Sequence, residues 1–343
     1  FWKALRTELL DAGLRESLVH QACYVYAQDG EVLLIMGTHV DDLLWAAKPD
    51  KRTARVIDRI KGRFELSTEE KRNFRYCGKE VRQNIDFGVT VTCSETSKKL
   101  KPINLPVGRS KQDGPVTEEE RSQMRSIVGS LAWIARSCRP DIAYRVSRMQ
   151  SVVTKANVTD IKELNKIVRY VLNSPDEGLY FTPKISWDDT ILVSVNDASF
   201  GNEVEVVSDT TEPFRSQAGR LTLLASTSLL EGDFGYVHIL GYHSTLIKRV
   251  CRATVQAETY TLQMGVEATD IVRASFADLH GAMESQNWER SSSSFRRSLW
   301  LTDCKSVFDA LRRTVLAKTA DKRLAIELAS LRQSLWRSHG TAI

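Results

Sequence analysis

The sequence has 343 residues, of which 42% are apolar and 27% charged, with a net charge of +5. This composition is ordinary for a soluble globular protein, and the length predicts about two or three domains. No apolar run reaches the roughly 18 residues of a membrane-spanning helix. The mild basicity permits a nucleic-acid partner without requiring one.

The chain starts Phe1-Trp2-Lys3, without an initiator Met or a signal peptide, so we expect a piece of a longer protein or a truncated gene model. Its six cysteines include no Cys-x-x-Cys pair, and its six histidines show no metal-binding spacing. This excludes a zinc knuckle and a disulfide framework, and it predicts reduced thiols in an intracellular protein.

The first hundred residues predict alternating helices and strands. Residues 1–14 favour a helix that stops at Gly13, and Asp29-Gly30 between apolar runs predicts a β-hairpin. Residues 50–62 then predict a helix and residues 63–93 a set of short strands.

Asp41 and Asp42 lie between two apolar runs, Val32–Met36 and Leu43–Ala47. The pattern predicts a hairpin with a two-residue acidic turn. Adjacent carboxylates repel each other and are stabilised by water or by a cation such as Mg²⁺. Alone, the dipeptide favours an ordinary solvated turn over a metal site.

Residues 94–116 are basic and turn-rich, which predicts a linker or domain boundary. Thr117 to Glu120 then form a capping box, and Pro140 ends one helix and opens another. Apolar residues at helical spacing continue to just before Pro175, so residues 117–174 predict a helical unit.

From residue 178 onward the pattern predicts an α/β unit, in which strands are followed by alternating helices and strands. The predicted strands are 178–182, 191–196, 219–225, 235–242 and 298–302. The predicted helices are 253–277, 304–315 and 320–336. The polar, Ser-rich stretch 281–296 predicts a loop.

Four acidic residues of this half lie at the edges of predicted elements: Asp197, Glu258, Asp303 and Glu327. Carboxylates at strand ends point into the crevice where α/β sheets bind ligands, and several together hold two divalent ions in phosphodiester-cleaving sites. Individually, the two aspartates are equally well explained as helix caps and the two glutamates as solvated helix faces.

The ordered set resembles the reverse transcriptase and ribonuclease H part of a Ty1/copia-type retrotransposon polyprotein. The motifs that carry the resemblance are, in chain order, His39–Asp42, Ile127–Arg136, Arg139–Ala143, Asp197–Phe200, Arg215–Gly219, Ala257–Tyr260 and Thr302–Val307. They span nearly the whole chain in the family order. His39 departs from the family's usual Tyr.

The resemblance implies a partial reverse-transcriptase palm over residues 1–105, a helical thumb or connection over 106–185, and an RNase H-like α/β domain over 186–343. It implies that Asp41 and Asp42 are polymerase metal ligands, and that Asp197, Glu258 and Asp303 are ribonuclease H ligands. Glu327 is expected as the fourth catalytic acid, with Asp321 as its competitor. The implied cofactor is Mg²⁺ in a two-metal site, with Mn²⁺ as the alternative ion.

Polymerases of this kind need a third Asp well upstream of the paired acids. The residues before Asp41 offer only Asp11, in a helical context, and Asp29 in a turn. We therefore expect that this chain alone does not polymerise DNA, and that any activity is Mg²⁺-dependent cleavage of RNA in RNA–DNA hybrids.

Lys248, Arg249 and Arg252 precede the acidic helix, and Arg139 lies among the arginines of the connecting helices. Such residues could hold phosphates of a hybrid duplex, although Arg and Lys also simply cover exposed helix faces. The expected partners are nucleic acid and the rest of a polyprotein, with no membrane. The family implies a cytoplasmic or virus-like-particle location.

Two functions stay open at this point. One is a retroelement enzyme fragment with a competent ribonuclease H site, and the other is a decayed or domesticated relic that at most binds nucleic acid. A metabolic enzyme is disfavoured, because the sequence has no Gly-rich nucleotide loop and no nucleophile elbow.

Overall fold

The structure is a computed structural model that describes residues 1–64, 66, 68–207, 210–315, 321–337 and 341–342. Helices and strands alternate along these residues and the strands form three sheets, which confirms the predicted mixture of α and β structure. In this part of the chain no helix combines the length and the apolar character needed to cross a bilayer.

The first sheet has the strand order β1-β2-β3-β4, and its strands are antiparallel. The elements of this unit are α1 (Trp2–Asp11), β1 (Arg15–Glu16), β2 (Cys23–Gln28), β3 (Glu31–His39), β4 (Asp42–Ala47) and α2 (Lys51–Arg63). Both Asp29 and Gly30 have positive φ, as a tight hairpin turn requires, so the predicted β2–β3 hairpin is confirmed. The apolar faces of α1 and α2 pack on β2 and β3.

The second sheet joins two distant parts of the chain. Its strands are β5 (Asn73–Tyr76), β6 (Lys79–Gln83), β7 (Val89–Thr92) and β8 (Gly178–Phe181). Val89 to Thr92 pair antiparallel with residues 178–181, so a strand that follows the helical unit completes a sheet that precedes it.

The helical unit consists of α3 (Ser94–Lys98), α4 (Val107–Ser110), α5 (Glu118–Ser137), α6 (Ala143–Val152) and α7 (Val158–Asn173). The Thr117–Glu120 capping box forms as predicted, with both reciprocal hydrogen bonds. Leu100 and Ile103 are buried in this core, and the buried Asn165 side chain bonds both the N–H and the carbonyl of Ile103. The stretch 94–116, predicted to be a linker or a domain boundary, thus contributes residues to the helical core.

The third sheet has the order β11-β10-β9-β12-β13. Its unit comprises β9 (Thr190–Val207), β10 (Thr210–Ser226), β11 (Val237–Leu246), α8 (Thr254–Leu279), α9 (Trp288–Phe295), β12 (Ser298–Leu301), α10 (Lys305–Arg312), α11 (Lys322–Arg337) and β13 (Thr341–Ala342). β9, β10 and β11 are antiparallel, whereas β12 runs parallel to β9, and β13 runs parallel to β12.

The loop predicted for residues 281–296 is wrong, because Trp288–Phe295 form helix α9. Ser292 and Ser293 are buried there, and their hydroxyls donate to the carbonyls of Glu289 and Arg290. Serine favours turns because its hydroxyl competes for backbone groups. Here packing against α8 offsets that preference.

The first unit is hydrogen-bonded to the far end of α8. Asp278 is 2% exposed and accepts from the Ser17 hydroxyl at 2.5 Å, the Leu18 N–H at 3.0 Å and the Arg15 guanidinium at 3.1 Å. The acidic end of α8 is therefore buried by residues that lie far away in sequence.

Candidate metal centre

Three predicted acids, Asp197, Glu258 and Asp303, come together at one edge of the third sheet. Leu301 of β12 pairs in parallel with Val195 of β9, so the aspartate two residues beyond each of them lies at the same level. One carboxylate oxygen from each of the three acids lies within 4.8 Å of the others. A strand, a helix and a strand end thus each supply one potential metal ligand.

Small residues let α8 approach β9 closely enough to deliver Glu258. A Cβ added to Gly265 would lie 1.6 Å from the Asn196 Oδ1 atom and 2.9 Å from the Ser194 Oγ atom. A larger residue at position 265 would require the buried Asn196 side chain or the helix to shift. The buried Ala198 of β9 also packs with Ala257, next to the glutamate.

Glu258 is the buried member of the group, at 5% exposure, whereas Asp197 and Asp303 are exposed. The pKa of Glu258 is raised to about 7, mainly by burial and then by the charges of Asp197 and Asp303, against a hydrogen bond from the Ala198 backbone. Its buried Oε2 atom has no hydrogen-bond partner. A buried carboxylate with one unpartnered oxygen, beside two other carboxylates, fits a divalent cation, whose preferred ligands are such oxygens.

The two candidates for a fourth acid lie outside this group of three in the described part of the chain. Glu327 of α11 forms an ion pair with Arg249 at 3.5 Å. Asp321 accepts from the backbone N–H groups of Arg323 and Leu324 and so caps α11. It also accepts from the Gln256 amide at 2.9 Å, which ties α11 to the first turn of α8.

The predicted acidic hairpin is present between β3 and β4, one residue out of the expected register. Val40 and Asp41 form the turn, with Val40 at φ +53°, and Asp42 is the first residue of β4, opposite His39. Asp41 and Asp42 are both exposed. Among the described residues, no further His, Cys, Asp or Glu completes a metal-binding group with them.

Tyr76 of β5 lies against this hairpin. Its ring centre is 6.5 Å from that of His39. Burial raises the pKa of Tyr76 to about 12, and Cys77 and the Asp42 carboxylate contribute in the same direction. The tyrosine therefore stays protonated beside the acidic turn.

Lys248, Arg249 and Arg252 are exposed between β11 and α8, on the segment that leads into the helix of Glu258. Arg249 also lies over the Tyr260 ring, 5.7 Å from its centre. All three lie within ten residues of Glu258 along the chain.

Arg139 is in a different position from the one expected of a phosphate contact. It is 1% exposed, and its guanidinium donates to Asp141 at 2.8 and 2.9 Å and to the Ser174 carbonyl at 2.7 Å. It also faces the Tyr170 ring at 5.5 Å. This arginine joins α5 to the end of α7 and is not offered to a nucleic acid.

Sequence reasoning missed a cleft beside Asp197, of about 280 Å³, between the start of α6 and the sheet. Tyr144 of α6 and Arg220 and His243 of the sheet are among its lining residues. No local motif marks this cleft, because it exists only once the helical unit has packed on the sheet.

Curated proteins that are similar to about half of the chain include two plant polyproteins. The Retrovirus-related Pol polyprotein from transposon RE2 of Arabidopsis thaliana is 25% identical over 187 residues, which cover 51% of this chain. The chain is related to retrotransposon Pol polyproteins. The corresponding polyprotein from transposon RE1 of the same plant is 24% identical over 188 residues.

The chain spans only 13% of the length of each of these polyproteins. No protein-family model matches it, and no solved structure gives a significant match. The predicted relationship to a retrotransposon polyprotein is thus confirmed. Together with the carboxylate group, it is consistent with the use of a divalent metal.

Proposed function

We propose that this chain is a fragment of a Ty1/copia-type RNA-directed DNA polymerase, and that its third unit is an RNase H-like domain that cleaves the RNA strand of RNA–DNA hybrids. The observation that carries the proposal is the meeting of Asp197, Glu258 and Asp303 within 4.8 Å. The sheet order supports it, because β9 and β12 are adjacent and parallel and both lead into the carboxylate group.

In this proposal the three carboxylates hold divalent cations, Mg²⁺ or Mn²⁺. Bound there, two such ions supply an activated water and stabilise the developing charge of an in-line displacement at a phosphodiester. Bound ions would lower the pKa of Glu258, because their charge offsets the burial and repulsion that raise it. The exposed Asp197 and Asp303 leave the centre open to a polymer.

Electrostatics also favour a nucleic acid as the ligand. Lys248, Arg249 and Arg252 lie on the segment that enters α8 and can contact phosphates next to the carboxylates. Binding through such contacts weakens as salt concentration rises, since each phosphate contact releases counterions.

We further propose that the chain alone lacks DNA polymerase activity. Asp41 and Asp42 lie exposed on the hairpin, and no third carboxylate joins them within the described residues. A metal held by two adjacent carboxylates alone binds weakly, because Mg²⁺ demands a nearly complete oxygen shell. In the parent polyprotein we expect a further segment to supply the missing ligand, and we expect a cytoplasmic or particle-associated location.

The test is cleavage of an end-labelled RNA–DNA hybrid by the purified chain with Mg²⁺, next to Glu258→Gln and the control Glu267→Gln. Glu267 is an exposed glutamate of the same helix. The proposal predicts cleavage by the unmutated chain and the control, and loss of at least about 100-fold in Glu258→Gln. Absence of cleavage by the unmutated chain, or equal cleavage by Glu258→Gln, would instead indicate a non-catalytic relic.

A further inference from the structure

Helix α8, which carries Glu258, begins without an ordinary cap. Its N-cap residue is Ala253, which has no side-chain acceptor for the first turn. In a capping box, a Glu or Gln at the third helical position accepts from the backbone N–H at the N-cap. Gln256 occupies that third position, and its Oε1 atom accepts from the Arg252 N–H, one residue further back, at 2.8 Å. A buried glutamine therefore attaches the start of α8 to the preceding segment.

The amide nitrogen of Gln256 makes two further hydrogen bonds. It donates to the Tyr260 hydroxyl, one turn along α8, at 2.9 Å, and to the Asp321 Oδ2 atom at 2.9 Å. The other oxygen of Asp321 accepts from the backbone N–H groups of Arg323 and Leu324 at the start of α11. One glutamine thus joins the segment before α8, the first two turns of α8 and the start of α11.

These bonds lie on the side of α8 that faces away from Glu258. With about 3.6 residues per turn, Gln256 and Tyr260 lie on one side of the helix, and Glu258 projects from the opposite side. There its carboxylate meets those of Asp197 and Asp303 within 4.8 Å. Fraying of the first turn would therefore displace the Glu258 carboxylate relative to the two aspartates.

We propose that Gln256, anchored by Asp321, is the positioning residue that holds Glu258 in the metal centre. This role rests on the proposed ribonuclease function and adds a residue that touches neither ion nor substrate. It makes Asp321, a candidate fourth acid on sequence grounds, an anchor of the helix and not an ion ligand. Loss of a residue that supports metal ligands typically lowers metal affinity or activity by about 10- to 100-fold.

An exchange of the two side chains tests the proposal. Gln256→Glu places two carboxylates face to face, and Asp321→Asn places two amides there, so each single change breaks the bond between positions 256 and 321. The double variant restores this bond with reversed polarity, because the new amide donates to the new carboxylate. Gln333→Glu, an exposed position of α11, is the control for an added negative charge.

Mn²⁺ binding in the absence of nucleic acid, followed by the EPR signal of free Mn²⁺, gives a readout that does not require cleavage. Each single variant should bind Mn²⁺ about tenfold more weakly and cleave the hybrid with about tenfold lower kcat. KM for the hybrid should stay within about threefold, because Gln256→Glu still accepts from the Arg252 N–H and Asp321→Asn leaves that bond intact. The double variant and Gln333→Glu should remain within about threefold of the unmutated chain in all three quantities.

Unchanged Mn²⁺ affinity in both single variants would overturn the proposal. A double variant as weak as Asp321→Asn would also overturn it, since it would indicate that Asp321 binds an ion directly. Should urea denaturation show that Gln256→Glu does not fold, Gln256→Met replaces it, because methionine has similar bulk and no amide. Adding Asp321→Asn to Gln256→Met should then cause no further loss, whereas the loss of a direct ligand would add to it.

The two readouts separate the positioning role from the proposed function. Weaker Mn²⁺ binding in the single variants with rescue in the double variant, together with no cleavage by the unmutated chain, would reject the ribonuclease and keep the role of Gln256. Cleavage by the unmutated chain with unchanged single variants would reject that role and keep the ribonuclease. Absence of Mn²⁺ binding by the unmutated chain would overturn the metal centre and the role of Gln256 with it.

Discussion

Glu258→Gln should stabilise the metal-free chain at pH 8, although it removes a ligand of the metal centre. Glu258 has an ordinary pKa of 4.5 when exposed and a pKa of about 7 in the fold. Between these values the folded chain holds a proton that the unfolded chain has released, so the free energy of unfolding falls as pH rises. Below pH 4.5 the Glu258 charge does not reduce the free energy of unfolding, because the residue is protonated in both states. Above pH 7 the reduction reaches its full size.

The size of the effect follows from the two pKa values. At 1.36 kcal/mol per pKa unit, the difference between 4.5 and about 7 corresponds to about 3 kcal/mol as an upper value. The neighbouring Asp197 and Asp303 are exposed, so water screens part of their repulsion. We therefore expect Glu258→Gln to raise the free energy of unfolding by about 1.5–3 kcal/mol at pH 8, since a carboxamide of the same shape avoids the charge.

Urea denaturation in EDTA at pH 5 and pH 8 measures this difference. The unmutated chain and Glu267→Gln should lose about 1–2.5 kcal/mol more between the two pH values than Glu258→Gln does, because part of the cost is already present at pH 5. Saturating Mg²⁺ at pH 8 should then stabilise the unmutated chain and leave Glu258→Gln nearly unchanged. Parallel pH dependences of all three proteins would refute the reasoning, because they would mean that Glu258 titrates normally in the fold.

Three further substitutions test the packing that supports the centre, each by the midpoint and slope of urea unfolding. Arg139→Ala should lower the free energy of unfolding by about 2–4 kcal/mol, because Asp141 and the Ser174 carbonyl lose a buried donor. A loss below about 0.5 kcal/mol would contradict the internal role of Arg139. Asp278→Ala should cost about 2–3 kcal/mol, since the Ser17 hydroxyl and a backbone N–H lose their acceptor, and an unchanged midpoint would show that this contact is dispensable. Thr117→Ala should cost about 1 kcal/mol through loss of the α5 cap, with no change in hybrid cleavage.

Local sequence signals predicted the elements that local chemistry determines. The Asp29-Gly30 turn, the Thr117 capping box and the glycine stop after α1 all lie where the sequence places them. The order of Asp197, Glu258 and Asp303 along strand, helix and strand also predicted the one carboxylate group found in the described residues. The turn, the cap and the helix stop each depend on residues that are close together in sequence. The carboxylate group depends on the order of strands and helices, which determines the strand ends that lie side by side.

Long-range packing accounts for what sequence patterns did not predict. β8 pairs with β7 across the whole helical unit, and no local property of Gly178–Phe181 marks its partner. Arginine is usually found on the surface, but the end of α7 covers Arg139 and buries it. The Tyr144 cleft likewise needs α6 and β9 together, so its members are unremarkable one at a time.

The contact between Arg15 and the last turn of α8 has a practical consequence for dissecting this chain. The Arg15 guanidinium donates to the carbonyls of Asp278 and Leu279, which are among the terminal carbonyls that a helix cannot satisfy itself. Arg15 is therefore a cap supplied from 263 positions away, and its charge offsets an acidic residue at the negative pole of the helix dipole. A fragment that starts at residue 186 would lose Arg15 and keep only the local cap at Gly281, whose N–H donates to the Asp278 carbonyl. The buried Asp278 carboxylate would then be left without its partners from the first unit, so the assays should use the whole chain.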